Sequence, residues 1–211
     1  MIKPPSSSRG REEKRDRVLD AAERLLRGSG TADFSMRELA AEAGLSFATP
    51  FNHFGSKTAI MHALSARRIE AMAARFAASA PAEDVVSRVG AAVEIAVGVL
   101  LEEPAASRAV IGSLGSPTTE PGQVADRSRG LWAMALGGFG GISEDVADLA
   151  RLSLAEHLAL GFRGCLSFWV AGEMTDAELP ARARAMAMAL LFGFVEPALR
   201  PALRVQMMPG L

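Results

Sequence analysis

Along the first eighty residues, apolar side chains recur at three- and four-residue intervals and are cut at regular points by glycine and serine. Val18, Ala21, Ala22, Leu25 and Leu26 share one face of a helix predicted from about Glu12 to Arg27, which Gly28 and Gly30 end. Ser35-Met36-Arg37-Glu38 is a capping-box pattern, in which serine and glutamate satisfy each other's orphan amides. It opens a short helix with Met36, Leu39, Ala40 and Ala43 inward, and Gly44 supplies a left-handed residue to close it. Ser46 is placed to cap a third short helix that Phe54-Gly55 closes. Ser56 caps a longer fourth helix, Lys57 to about Ala78, with Met61, Leu64, Met72 and Phe76 inward.

Past Pro81 the same period continues with weaker punctuation. Helices are predicted over about Ala82–Glu102, stopping before Pro104, and over Ala105–Leu114. Residues 115–122 read as a Ser-, Thr- and Pro-rich loop, and a helix over about Val124–Leu136 runs into Gly137-Gly138 and Gly140-Gly141. Ser143 opens a long helix to about Ala171. Thr175-Asp176-Ala177-Glu178, a second capping box, starts a final one to about Val195, before Pro197 and Pro201. No strand-like alternation persists. The predicted class is all-α, about nine helices, as a three-helix N-terminal domain plus a C-terminal helical domain.

Composition agrees: the mix is rich in alanine, leucine, arginine and glutamate, and no tyrosine is present. The net charge of −1 hides an asymmetry, because residues 1–62 hold ten Lys/Arg against eight Asp/Glu while residues 63–211 hold thirteen against sixteen. The bias permits a polyanionic partner at the N-terminal end without demanding one. A single cysteine, Cys165, excludes an intrachain disulfide and a cysteine-cluster metal site. The first ten residues have no apolar stretch that would act as a secretory signal, and the longest apolar runs fall short of the ~20 residues needed to span a bilayer. A soluble, cytoplasmic protein without membrane contact is expected.

Residues 34–54 are two short helices joined by a tight glycine turn, with a supporting helix in front. That is the shape of a helix-turn-helix, whose second helix enters the major groove. The same arrangement also occurs in helical bundles that never touch DNA. The residues themselves narrow the choice: Phe34-Ser35-Met36-Arg37-Glu38-Leu39-Ala40-Ala41-Glu42-Ala43-Gly44-Leu45-Ser46, then Thr49, Phe51, His53, Phe54, Ser56 and Lys57, resembles the DNA-binding signature of the tetracycline-repressor (TetR) family over about residues 12–64. The resemblance implies that Ser46 caps the recognition helix and that Phe47, Ala48 and Asn52 sit where family members read bases. Thr49 and His53 sit where they touch phosphates or bases, and Lys57 where a lysine contacts phosphate. Arg37, with Arg9 of a flexible basic arm over residues 1–10 and Arg11 and Lys14 just beyond it, would add backbone or minor-groove contacts. Phe51 and Phe54 read more readily as core.

Two positions depart from the family. Phe51 stands where tyrosine is usual, and Pro50 where an aliphatic residue is usual. Counted from Ser46 as N-cap, Pro50 is the fourth helical residue, so one backbone bond goes unmade and its ring crowds the Ser46 carbonyl.

The resemblance divides the chain into the arm, a DNA-binding domain over residues 11–56, and a ligand-binding and dimerisation domain over residues 57–211. Trp132, Met134, Phe139, His157, Phe162 and Cys165 are expected to line a small-molecule pocket, with His157 as polar anchor; a stripe of plain core is the alternative. The last two long helices are apolar around much of their circumference, which asks for burial on two sides. Leu158, Phe162, Leu166, Trp169, Met188, Leu191 and Phe192 are expected to pair with their copies in a homodimer. The expected partners are therefore a palindromic operator in double-stranded DNA, a small effector and a second copy, with no cofactor and no metal. No nucleophile elbow, phosphate loop or metal-ligand cluster suggests an enzyme. The alternative to a regulator is a helical dimeric interaction module that has lost DNA binding.

Overall fold

The computed structural model describes residues 6–80, 82–115 and 123–208. Among them the chain forms ten α-helices: α1 (Ser6–Ser29), α2 (Met36–Glu42), α3 (Ala48–Phe54), α4 (Lys57–Ala78), α5 (Val85–Leu101), α6 (Pro104–Ser113), α7 (Val124–Leu136), α8 (Ala147–Val170), α9 (Leu179–Phe192) and α10 (Arg200–Gln206). Two isolated bridges, Asp84 with Gly140 and Ile142 with Val195, are the only β pairing described. The all-α expectation holds, and no described helix is long and apolar enough to cross a membrane.

Helix α1 begins earlier than the pattern suggested. Ser6 to Gly10 form its first turns, so the arm expected over residues 1–10 is helical where it is described, and Met1 to Pro5 lie outside the described residues. Only Gly10 interrupts the run from Ser6 into the charged helix formers that follow, and a single glycine costs a helix about 1 kcal/mol without ending it. The loop expected over 115–122 lies, beyond Gly115, outside the described residues.

Two compact units divide the chain. The first holds the residues up to Ser65 together with the stretch from Ala105 that contains α6. Its core joins Val18, Leu19, Ala22 and Leu26 of α1, Leu39 of α2, and Ile60, Met61 and Leu64 of α4 to Ala106 and Val110 of α6. The unit therefore reaches past the 11–56 segment at both places. Periodicity finds α6 but not which core its apolar face enters.

The second unit holds Ala66–Pro104 and the chain from α7 onward. Asp84 caps α5, its side chain accepting from the Ser87 amide at 2.8 Å. Arg88 of α5 closes α7 from outside, donating to the carbonyls of Ala135 (2.9 Å) and Met134 (2.8 Å). These carbonyls have no partner within their own helix, and the cation also suits the negative end of the helix dipole. Gly137 leaves α7 with φ +55°, and a Cβ there would stand 2.6 Å from Arg88 Nε. Both facts require glycine. Gly161 plays a comparable role between α8 and α9, where a Cβ would meet Met186 Sδ at 2.5 Å.

Candidate functional site

Helices α2 and α3 form the pair expected of a helix-turn-helix, and the capping box and glycine turn of α2 form as their patterns imply. The Ser35 amide donates to Glu38 Oε2 at 2.6 Å and the Glu38 amide to Ser35 Oγ at 3.2 Å, which completes the capping box. These bonds hold the Glu38 carboxyl below its ordinary range. At the other end of α2, the Gly44 amide donates to the Ala41 carbonyl and the Leu45 amide to the Ala40 carbonyl, with Gly44 at φ +62°. This is the Schellman closure.

The turn is also pinned from α1. Arg17 Nη2 donates to the carbonyls of Ala43 (2.8 Å) and Gly44 (3.1 Å). Arg24 pairs with the Glu42 carboxylate at 2.6 Å and donates to the Glu42 carbonyl at 3.1 Å. Arg17 and Arg24 lie among the interleaved acids and bases of α1. Their spacing gave no hint of partners eighteen to twenty-seven residues away.

Helix α3 starts later than Ser46. Phe47 is its N-cap and Ala48 its first residue, while the Ser46 hydroxyl bonds the Thr49 hydroxyl at 2.8 Å and the Ser46 carbonyl accepts from the Thr49 amide. Pro50 is thus the third helical residue, among the first four whose amides have no helical partner in any case. It is buried, and its missing N–H costs the helix nothing there.

The later start also sets the faces. Pro50 and Phe54 turn inward, Phe54 against the unit's core. Phe51, expected as core, is instead 42% exposed, and Phe47, one turn before it, is 53% exposed. Their rings meet edge to face with centroids 5.6 Å apart, and the Arg37 guanidinium lies 5.6 Å from the Phe47 centroid.

The remaining residues expected at DNA gather around this face or just behind it. Arg37, Ser46, Ala48 and Asn52 are exposed, and Thr49 and His53 are half-buried. Lys57 is turned inward: its ammonium donates to the carbonyls of Ala32 and Phe34 (3.1 Å to the latter) and lies 5.3 Å from the Phe34 ring centroid. Partial burial, then the positive charges of Arg11, Lys14 and Arg15, push the His53 imidazole below its ordinary pKa. Those three cations of α1 are exposed, with Arg15 over the Phe54 ring at 5.2 Å. The result is an apolar ridge on α3 with cations beside it.

In the C-terminal unit, the residues expected around a ligand divide. Trp132 is fully buried and meets Phe162 edge to face at 5.3 Å, yet its indole Nε1 has no hydrogen-bond partner among the described residues. Met134 and Phe139 are half-buried, Phe139 at φ +62° with Arg151 beside its ring. Cys165 is half-buried too, and burial pushes its thiol pKa up, which keeps it protonated and a packing group. His157 departs from the expectation: it is exposed on α8, because the turn that carries Leu154, Leu158 and Phe162 inward carries position 157 outward.

The residues expected in a dimer seam need a similar correction. Leu158, Phe162, Leu166, Trp169, Met188 and Leu191 are buried in the chain's own core, and the Trp169 indole donates to Asp176 at 2.8 Å. Phe192 is half-buried under Arg200 and Arg204. The exposed apolar side chains of α8 are instead Leu149, Leu152 (84% exposed), Leu160 and Phe168. A helix apolar nearly all round shows that two sides need cover, but not which side faces its own chain.

Residues 18–64 match the family model described as bacterial regulatory proteins, tetR family. No curated protein matches the chain. Among solved structures, a TetR transcriptional regulator from Rhodococcus sp. RHA1 superposes with a TM-score of 0.67 at 22% identity, over 87% of this chain and 97% of that one. A TetR-family regulator from Shewanella sp. PV-4 gives 0.58 at 19% identity, over 87% and 98%. The multidrug binding protein EbrR, solved with imidazole, gives 0.51 at 21% identity, over 82% and 89%. The chain has the fold of these TetR-family regulators, and its residues 18–64 match that family's model.

Proposed function

We propose that this chain is a homodimeric regulator that occupies a palindromic operator and is released from it by a small, largely apolar molecule. The observation that carries the reading is the outward face of α3: two exposed aromatic rings and Asn52 on a helix whose preceding turn and inner face are held within the unit, with cations beside it. An intact recognition helix with Pro50 at an unstrained position removes the main argument for a module that has lost DNA binding.

Dimerisation is supported by the outer face of α8. Leu149, Leu152 and Leu160 recur there at helical spacing, and leaving them in water forgoes roughly 1.5–3 kcal/mol for each leucine. A second copy covering that face would hold two recognition helices in one assembly, as a two-fold operator with half-sites ~34 Å apart requires.

An effector site is supported by Trp132. A buried indole N–H without an acceptor costs roughly 1–3 kcal/mol, and a ligand oxygen would supply one. Phe162, edge to face with the indole at 5.3 Å, gives the apolar surroundings such a molecule needs. Helix α4, whose first turns belong to the DNA-binding unit and later turns to the other, is the covalent link through which a preference for one state would be read. A coupling of ~1–3 kcal/mol suffices to change operator occupancy.

The test is binding to the DNA flanking the chain's own gene, measured against random duplex over a salt series. Tight, sequence-dependent binding with a negative salt slope is the expected result. Equal, salt-insensitive affinity for both duplexes would sink the proposal.

A further inference from the structure

The outward face of α3 is poor in hydrogen-bonding groups. Phe47, Ala48, Phe51 and Asn52 are its exposed side chains, and only Asn52 can bond a base edge. The two nearby hydroxyls, of Ser46 and Thr49, are engaged with one another at 2.8 Å. Whatever this helix meets, most of what it offers is hydrocarbon.

In the major groove one base-edge group answers such a surface. The donors and acceptors of guanine, adenine and cytosine lose water against an aromatic ring and gain nothing in return. The 5-methyl group of a pyrimidine is the exception: it is apolar, it projects into the groove, and it gains by leaving water. Phe47 and Phe51 are also held for the purpose, since their edge-to-face contact limits both rings and Arg37 stacks on Phe47. The guanidinium there adds positive charge next to the apolar ridge, which fits a nucleic-acid backbone and not an apolar protein partner.

Resting on the DNA-binding reading above, we propose that Phe47 and Phe51 form a methyl-reading pair, so that each operator half-site is specified mainly by the 5-methyl group of a pyrimidine. Asn52 supplies the one base hydrogen bond beside it, for which adenine is the matching edge. The chemistry is that of the methyl group, whether thymine or 5-methylcytosine carries it.

The experiment starts from duplexes that the full-length protein selects from a random-sequence pool. The preferred duplex is resynthesised with each thymine replaced in turn by deoxyuridine, which removes the methyl and nothing else. A second series replaces the sensitive T·A pair by 5-methylcytosine·guanine or by cytosine·guanine. The expected result is a loss of about fourfold per removed methyl at one or two positions of each half-site, with 5-methylcytosine binding better than cytosine by a similar factor. Phe47→Ala, an exposed substitution whose folding is checked by circular dichroism, should bind the thymine and deoxyuridine duplexes alike. Uracil duplexes bound as tightly as thymine duplexes by the unaltered protein would overturn the proposal and leave the DNA-binding reading standing. Methyl sensitivity persisting in Phe47→Ala would overturn it as well. A pool in which no sequence is enriched would remove both.

Discussion

Of the surfaces that leave large apolar side chains in water, those on α3 and α8 differ in what surrounds them. On α3 the exposed pair Phe47 and Phe51 is compact and aromatic, with Arg37 stacked on it and the cations of α1 nearby. On α8 the exposed set Leu149, Leu152, Leu160 and Phe168 is longer and mostly aliphatic, and its neighbours carry both signs: Arg151 bonded to Asp148 at 2.9 Å, then Glu156. Hydrophobic area alone does not distinguish the two. The charge around each does, since one sign favours a polyanion and mixed signs favour a protein surface, which is where the proposal seats a second copy. Both faces also rest on well-supported helices, so their exposure is not a sign of local disorder.

The comparison breaks most readily at α8. Replacing Leu152 and Leu160 together by glutamate should leave the chain folded, convert it to a monomer by analytical ultracentrifugation, and weaken binding to a palindromic duplex by about 100-fold or more. A dimer that survives the double change would move the second copy to another face. Arg17→Ala tests the support under α3 and not its surface. Loss of two bonds to the Ala43 and Gly44 carbonyls should cost about 1–2 kcal/mol in urea unfolding and weaken DNA binding, with self-association unchanged.

A smaller effect is expected from pH. In the free protein His53 sits below its ordinary value of 6.5, through burial and then its cationic neighbours. A lowered folded-state pKa means that its contribution to folding is fully present above 6.5 and is lost as pH falls toward the folded value. A phosphate close to His53 works in the opposite direction and raises the pKa, so binding takes up a proton. DNA affinity should therefore rise severalfold as pH falls below about 6.5, and His53→Gln should flatten that profile. A wild-type profile already flat across this range would place His53 away from phosphate.

The smallest effect is expected at Pro50. As the third helical residue it gives up no hydrogen bond, so Pro50→Ala should shift stability by no more than about 0.5–1 kcal/mol. Were it an interior helix breaker, the same change would stabilise the chain by about 3 kcal/mol.

Much of the first unit was legible because its signals are local. The Ser35–Glu38 box, the Gly44 closure and the Ser56 cap each occupy a few consecutive residues, and each forms as its pattern implies. The start of α3 lies one residue later than the pattern places it, because Ser46 and Thr49 satisfy one another and so leave the cap to Phe47. That small shift turned Phe51 outward and relieved Pro50. In the second unit the helices up to α9 were found, α10 beyond Pro197 was not, and neither were the inner faces of α8 and α9. Residues such as Leu158, Leu166 and Met188 are as apolar as Leu152 and Leu160, and composition cannot tell a core seam from an outer one.

The sequence by itself determined the all-helical class, the order of the helices, the helix-turn-helix and its resemblance to one family. These follow from periodicity, caps and turns, which act over one to four residues. Only the tertiary structure decided that α6 enters the N-terminal core, that Arg17 and Arg88 close distant helix ends, that His157 faces water, and that the Trp132 indole N–H has no partner among the described residues. Each of those depends on which elements come to lie side by side. That is settled by packing the whole set of apolar faces at once, with the chain between them free to run in many directions.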